Sequence, residues 1–347
     1  MRAVLHRGHG GPEILEPVSL PDPEPGPGEV LIAVRAAAVN RLDLLQRRGP
    51  GLLPHFSLPH VPGMDVAGDV VALGAGVHQR RVGDRVLVNP ALHCGHCAGC
   101  RSGDDAWCAG LRVVGGNRPG GYAELTVVPA DRTHAIPATL DHVAAASLPT
   151  AYGMAWQGLV VRGGLRAGET LMVHGAGSGI TIAAVQLARA LGARVLVTSG
   201  SRAKLDRMAE LGADVLIDTA TSDLVTRARA ATGGAGVDLV FDHVGPALFQ
   251  ASLHALRPRG RLVFCGDTTG TSATFDLPHA FHTGVTLLGA GSCGAADFAT
   301  MVDFCLDRAL IPVPDTSYPL ADAAHAHRRV ASGAAFGKVT LLPGSSA

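Results

Sequence analysis

Lysine is almost missing from this chain of 347 residues: only Lys204 and Lys338 occur, and arginine supplies the rest of the 29 basic residues. An excess of one charge is missing too, because 29 acidic residues balance them. A chain without net charge lacks the electrostatic footprint that nucleic acid or an anionic membrane surface requires, so a small neutral ligand is the expected partner. Long apolar runs are absent as well. Mean hydropathy is positive at +0.25, yet Arg, Asp or Gly interrupts each apolar stretch well before the ~18 residues of a membrane span. Aromatics make up only 4%, while 45 glycines and 22 prolines describe a turn-rich chain whose core is built from Val, Leu and Ala. The opening Met1-Arg-Ala-Val-Leu-His-Arg7 lacks the apolar core of a secretory signal, and the expected location is cytoplasmic, where thiols stay reduced.

Cysteine, sparse elsewhere, crowds into one segment. Cys94, Cys97, Cys100 and Cys108 form a C-x2-C-x2-C-x7-C cluster. Two-residue gaps let neighbouring thiolates converge on one small sphere, and the longer gap closes a loop back to it, which suits tetrahedral S4 coordination of zinc. A disulfide pair is disfavoured by the absent secretory signal, and a [4Fe–4S] cluster by the absent closing C-x3-C-P. Cys265, Cys293 and Cys305 stand alone in apolar surroundings and read as core residues.

The chain length suggests two domains. Residues 1–149 read as short strands, Met1–Arg7, Ile14–Leu20, Glu29–Asn40, Asp65–Leu73, Asp84–Asn89 and Tyr122–Val128, separated by long loops such as Pro21-Asp-Pro-Glu-Pro-Gly-Pro-Gly28 that forbid helix. This is an all-β domain carrying the cysteine lobe at 91–110. Over residues 150–292, apolar strands alternate with helical stretches: Thr170–His174, Arg194–Ser199, Val215–Asp218, Val237–Asp242, Arg261–Gly266 and Val285–Gly289. That alternation predicts an α/β domain with a doubly wound parallel six-stranded sheet. Residues 293–347, with an amphipathic helix over Asp297–Arg308 and a terminal strand Lys338–Leu342, read as a return to the first domain.

After the first strand of the second half comes His174-Gly175-Ala176-Gly177-Ser178-Gly179-Ile180-Thr181. Glycines between a strand and a helix let the backbone approach a diphosphate, and the helix N-terminus offers it free N–H groups. Thr181 departs from the full G-x-G-x-x-G spacing, but the strand–turn–helix setting predicts a dinucleotide site. The end of the second strand then decides which dinucleotide. An NAD site places a carboxylate there for the ribose hydroxyls; this chain has Ser199-Gly200-Ser201-Arg202-Ala203-Lys204. Without that carboxylate a 2′-phosphate is not repelled, and Ser201, Arg202 and Lys204 attract it, so NADPH is the expected cofactor. Gly266, ending the fifth strand, joins the cofactor-binding set.

The order of parts resembles the medium-chain dehydrogenase/reductase superfamily: a GroES-like β domain, a four-cysteine zinc lobe, a Rossmann domain and a return segment. The stretches that carry the resemblance are Gly28-Glu-Val-Leu-Ile32, Gly63-Met-Asp-Val-Ala-Gly68, Val82-Gly-Asp-Arg-Val86 and the glycine turn. Zinc alcohol dehydrogenases of the superfamily hold a second, catalytic zinc at positions that here correspond to Asn40, Met64 and Thr150, none of them a good ligand. The pattern Val39-Asn40-Arg-Leu-Asp43 with Pro62-Gly-Met-Asp65 is similar to the quinone oxidoreductase branch, which works without catalytic metal and uses NADPH. Unlike many members of that branch, this chain keeps the cysteine lobe. The resemblance implies Asn40, Asp43 and Thr150 as catalytic-pocket residues, a quinone or carbonyl substrate and one structural zinc ion, while the apolar edge of the last parallel strand, Val285–Gly289, predicts a homodimer. Two alternatives are a zinc alcohol dehydrogenase with unusual ligands drawn from Asp43, His55, His60 and Asp65, and a non-catalytic NADPH-binding protein.

Overall fold

The computed structural model describes residues 1–49 and 53–344. They fall into two compact units, Met1–Ala151 with Gly294–Val302 and Ile311–Ala347, and Tyr152–Cys293 with Asp303–Leu310. The return segment expected over 293–347 is therefore not of one piece, since residues 303–310 group with the second unit.

The first unit is built on a sheet whose strands run in the order Pro314–Pro319, Lys338–Leu342, Glu29–Ala38, Asp65–Leu73, Arg85–Val88 and Thr133–Ala135, with Leu125–Pro129 also pairing to Glu29–Ala38. The pairing is antiparallel except between the first two strands. Along Glu29–Ala38, alternate residues Val30, Ile32 and Val34 are buried, the period-two pattern of a half-covered sheet, before the run Ala36–Ala38 is enclosed on both faces. Gly68 sits opposite a register shift at Val34/Ala36, where a Cβ would lie 2.1 Å from the Ala33 carbonyl oxygen.

This unit is not purely β with loops. A helix spans Arg41–Arg48, where the sequence pattern predicts a loop. Its buried face is Asp43, Leu44, Gln46 and Arg47, mostly polar, so the apolar repeat that announces a helix is missing. The carboxylate of Asp43, three residues into the helix, accepts from the Asn40 N–H at 2.7 Å and so fixes the helix start.

The second unit is a six-stranded parallel sheet in the order Val215–Asp218, Arg194–Ser199, Thr170–His174, Val237–Asp242, Leu256–Phe264 and Thr286–Gly289. In chain order this is 3-2-1-4-5-6, the doubly wound arrangement, with its switch point between the first and fourth strands. Central strands such as Leu171–Val173 and Leu239–Phe241 are fully buried, as expected for a sheet covered by helices on both faces. No helix among the described residues is long and apolar enough to cross a membrane.

Candidate functional site

In the second unit the glycine turn lies where the strand order reverses. Gly175 and Gly177 adopt φ of +75° and +92°, a left-handed conformation that disfavours side chains and turns the chain sharply from strand to helix. Ser178 caps the helix Gly179–Ala190, its side chain accepting from the Thr181 N–H at 3.1 Å. The turn Gly175-Ala176-Gly177 thus leads into a helix whose first N–H groups, at Gly179 and Ile180, lack partners from within that helix. This donor set fits a diphosphate. From the other side of the switch point, His243 places its Nε2 2.9 Å from Thr181 Oγ1 and 2.9 Å from the His174 carbonyl oxygen. His243 belongs to no spacing motif, and its place immediately after the fourth strand is the one signal in the sequence that could find it. Gly266 is glycine for a packing reason, since a Cβ there would come within 2.5 Å of the His243 carbonyl oxygen.

At the end of the second strand, Ser201 precedes the helix Arg202–Glu210, and its N–H donates to Ser199 Oγ at 3.1 Å. Gly200 has open space around it: a Cβ at this position would find its nearest neighbour, Thr219 Oγ1, 3.8 Å away. Arg202 is exposed and pairs with Asp206 at 2.9 Å one turn along the helix; Lys204 is half-buried on that helix. Basic and hydroxyl side chains therefore gather at this strand end, and no carboxylate occupies the stretch 199–204.

In the first unit the candidate residues Asn40, Asp43 and Thr150 meet in one buried polar cluster, together with Asp65, which the sequence offers only as an alternative zinc ligand, and Lys338, to which it assigns no role. The Lys338 ammonium donates to Asn40 Oδ1 at 2.7 Å, Asp65 Oδ2 at 3.1 Å and the Val39 carbonyl oxygen at 3.2 Å. Asp65 Oδ1 accepts from Thr150 Oγ1 at 2.6 Å and from the Thr150 N–H at 3.0 Å. Asp43 accepts from two backbone N–H groups, Asn40 at 2.7 Å and Gly63 at 3.2 Å. Burial nonetheless raises the Asp43 carboxyl to about 7, against the opposing pull of those donors. Met64, by contrast, is simply buried.

Behind this cluster lies a second chain of buried groups that no sequence pattern reveals. Arg47, fully buried, donates to the Gly10 carbonyl and, through Nε, to His327 Nδ1 at 3.3 Å. Because Nδ1 accepts, the hydrogen of the neutral ring resides on Nε2, which donates to the Tyr122 hydroxyl at 2.9 Å. Burial, with the Arg47 charge beside it, depresses His327 to about 3 and keeps the ring neutral. His55 is exposed, whereas His60 is buried with Nε2 2.9 Å from the Gly115 carbonyl oxygen, so they do not come together as ligands.

The four lobe cysteines do come together. Their sulfurs all lie within 4.8 Å of one another, and Cys94 and Cys100 are 3.9 Å apart. Tetrahedral bonds of ~2.3 Å to zinc would set the sulfurs about 3.8 Å apart, so the set fits that ion. Backbone N–H groups of His96 and Cys97 pull the Cys94 thiol down to about 6, while desolvation and the Cys97 thiol push Cys100 up to about 12. Were all four to lose their protons, thiolates at this spacing would need a cation to offset their mutual repulsion. Among the described residues this is the one group of three or more His, Cys, Asp or Glu side chains with such geometry.

The two units and the cysteine lobe together define a dehydrogenase-type oxidoreductase. Residues 26–138 match the alcohol dehydrogenase GroES-like domain and residues 179–307 the zinc-binding dehydrogenase family. The chain is 30% identical to acryloyl-coenzyme A reductase of Metallosphaera sedula, covering 98% of this chain and 99% of that protein. It is also 30% identical to quinone oxidoreductase of Rattus norvegicus, over 99% of this chain and 98% of the relative. A solved structure described as an NAD-dependent alcohol dehydrogenase superposes with a TM-score of 0.95 at 39% identity, covering 99% of this chain and 100% of that one. The chain belongs to the medium-chain dehydrogenase/reductase superfamily.

Proposed function

We propose that this protein reduces a quinone or an α,β-unsaturated carbonyl compound with NADPH, using no catalytic metal and carrying one structural zinc ion on Cys94, Cys97, Cys100 and Cys108. One observation carries the reading. Two of the three residues at the positions of the catalytic zinc ligands are tied into hydrogen bonds, since Asn40 Oδ1 accepts from Lys338 and the Thr150 hydroxyl donates to Asp65, and the third, Met64, is buried and a poor ligand. The carboxylates on which an unusual zinc site would depend are committed too, Asp65 to Thr150 and Lys338, and Asp43 to two backbone amides.

NADPH would supply the hydride. The chain's own contribution is to bind and position: the turn Gly175–Gly179 and the Ile180 N–H receive the diphosphate, while Ser201, Arg202 and Lys204 receive the 2′-phosphate. The NAD named for one structural relative does not transfer automatically, because the residues that decide the matter are those at 199–204. On the substrate, an amide hydrogen of Asn40 donates to the carbonyl or quinone oxygen, where negative charge develops as hydride adds to the conjugated carbon. A proton from solvent completes the reduction. Two relatives named for an acryloyl thioester and for quinones act on acceptors of this conjugated kind, which supports the reading. Its test is a screen of purified protein for NADPH oxidation with 1,4-benzoquinone, 2-cyclohexen-1-one and acryloyl-coenzyme A. Turnover with one of these supports the reading, and inertness towards all three overturns it.

A further inference from the structure

We infer that Lys338 is a positioning residue: by holding the oxygen of the Asn40 amide, it leaves that side chain able to meet a substrate only as a hydrogen-bond donor. The inference rests on the reading of Asn40 as a substrate-contacting residue. An ammonium has three hydrogens and no acceptor, and Lys338 finds three acceptors, Val39 O, Asn40 Oδ1 and Asp65 Oδ2, between 2.7 and 3.2 Å away. The other end of the amide, Asn40 Nδ2, donates to the Ala38 carbonyl oxygen at 3.3 Å. A flipped amide would set N–H₂ against the ammonium and C=O against C=O, so its neighbours permit one orientation only. The second Nδ2 hydrogen has no partner among the described residues.

The lysine is itself held. Its N–H donates to the Val313 carbonyl oxygen at 2.9 Å, opening the strand Lys338–Leu342, whose Thr340 pairs with Ala38 two residues before Asn40. The residue before it, Gly337, has φ +104°, and a Cβ there would lie 2.1 Å from the same Val313 oxygen, so the turn that delivers Lys338 requires glycine. Asp65, anchored by both Thr150 donors, braces the ammonium from the far side. A buried ion pair is weak evidence for stability by itself, and orienting Asn40 gives this one a use. The chemical consequence is selectivity. An amide that presents its N–H₂ end suits an oxygen on which charge accumulates, as in an enone or a quinone, and an amide oxygen already held by an ammonium is a poor base for the hydroxyl proton that alcohol oxidation must release.

A double-mutant cycle tests this, following single-turnover reduction of 2-cyclohexen-1-one by NADPH and the infrared carbonyl stretch of the bound enone. The variants are Asn40→Ala, the charge-neutral pair Lys338→Met with Asp65→Asn, and their combination. Asn40→Ala and the pair should each slow hydride transfer ~10–100-fold and leave the KM for NADPH unchanged, with the combination no slower than the slower of the two. The carbonyl stretch, shifted to lower frequency in the wild type, should return towards its free value in all three. Effects that multiply, or a pair variant of undiminished rate, would overturn the inference while leaving Asn40 in the site. An undiminished Asn40→Ala would overturn the reading of Asn40 and the inference with it. Asn40→Asp keeps the acceptor for Lys338 and adds a complementary charge, so it tests the donor claim even if the neutral pair fails to fold. It should lose the same ~10–100-fold, and wild-type turnover in this variant would refute the donor role.

Discussion

Thr150 gives both of its hydrogens to one oxygen of Asp65, the hydroxyl at 2.6 Å and the backbone N–H at 3.0 Å. Its hydroxyl is thereby committed to holding a carboxylate, whose other oxygen meets Lys338. The result is a fixed, fully buried carboxylate paired with a fixed ammonium, at the place to which the resemblance to zinc alcohol dehydrogenases assigns a catalytic metal. The same contacts set Asp65 apart from its chain neighbour Met64, which is simply buried.

The cysteine lobe should bind one zinc ion per chain, measured by elemental analysis. Because four protein sulfurs close the coordination sphere, Cys97→Ser should lower the melting temperature before it changes the turnover of the folded fraction. The lobe is also tied to a distant segment, since Asp105 accepts the Ala295 N–H at 3.1 Å, so its collapse should reduce global stability. A folded variant with normal stability and selectively lost turnover would contradict a structural role.

Lys204→Ala should weaken NADPH binding by about one to two decades and leave NADH nearly unchanged, because only NADPH presents a 2′-phosphate to the lost charge. That range corresponds to a charge-assisted hydrogen bond of ~1.5–3 kcal/mol. Titration of both cofactors by fluorescence decides it; equal losses would place Lys204 away from the ribose.

Asp43 makes stability depend on pH with a definite sign. Its folded pKa, about 7, lies above the unfolded value of 3.8, so between these limits the folded state holds more protons than the unfolded one. Its contribution therefore favours the fold at low pH and is lost as pH rises through 7. Buried histidines such as His327, depressed to about 3, act oppositely between 3 and 6.5. The difference between wild type and Asp43→Asn isolates the first effect: the variant should gain stability relative to wild type as pH rises from about 4 to about 7. Parallel denaturation curves across that range would remove Asp43 from the account.

A two-fold dimer is expected along the strand Thr286–Gly289, which pairs on one side only among the described residues. In the same unit Phe281 and Leu277 are 66% and 65% exposed, an arrangement that invites a second copy of the chain. Light scattering at micromolar concentration should give a dimer for the wild type and a monomer for Leu287→Lys. A wild-type monomer would refute the interface.

The strands are the most legible part of the sequence. Asp65–Leu73, Thr170–His174, Arg194–Ser199, Val215–Asp218 and Val237–Asp242 stand where the apolar runs and their turn residues put them. The apolar run predicts Arg261–Gly266 for the fifth parallel strand, which instead covers Leu256–Phe264, because a register shift after the Val237–Leu256 pair carries Pro258 and Gly260 through a stretch they would ordinarily break. The helix Arg41–Arg48 escapes the pattern because Asp43, Gln46 and Arg47 line its buried face. The scarcity of lysine makes Lys338 conspicuous, yet its partners are out of reach of any local pattern: Asn40 lies 298 residues away in the chain and meets Lys338 only through strand pairing.

The most direct test of the central claim compares two reactions in one preparation. Hydride addition to an enone or quinone needs alignment and a donor to the oxygen, whereas oxidising a simple alcohol calls for a Lewis acid that lowers the hydroxyl pKa so that its proton can leave to solvent, the task a catalytic zinc ion performs. NADPH-linked reduction of 2-cyclohexen-1-one or 1,4-benzoquinone should exceed oxidation of ethanol or benzyl alcohol by orders of magnitude and should survive brief chelation that leaves the cysteine lobe loaded. Efficient alcohol oxidation that disappears on such chelation and returns with added zinc would contradict the account.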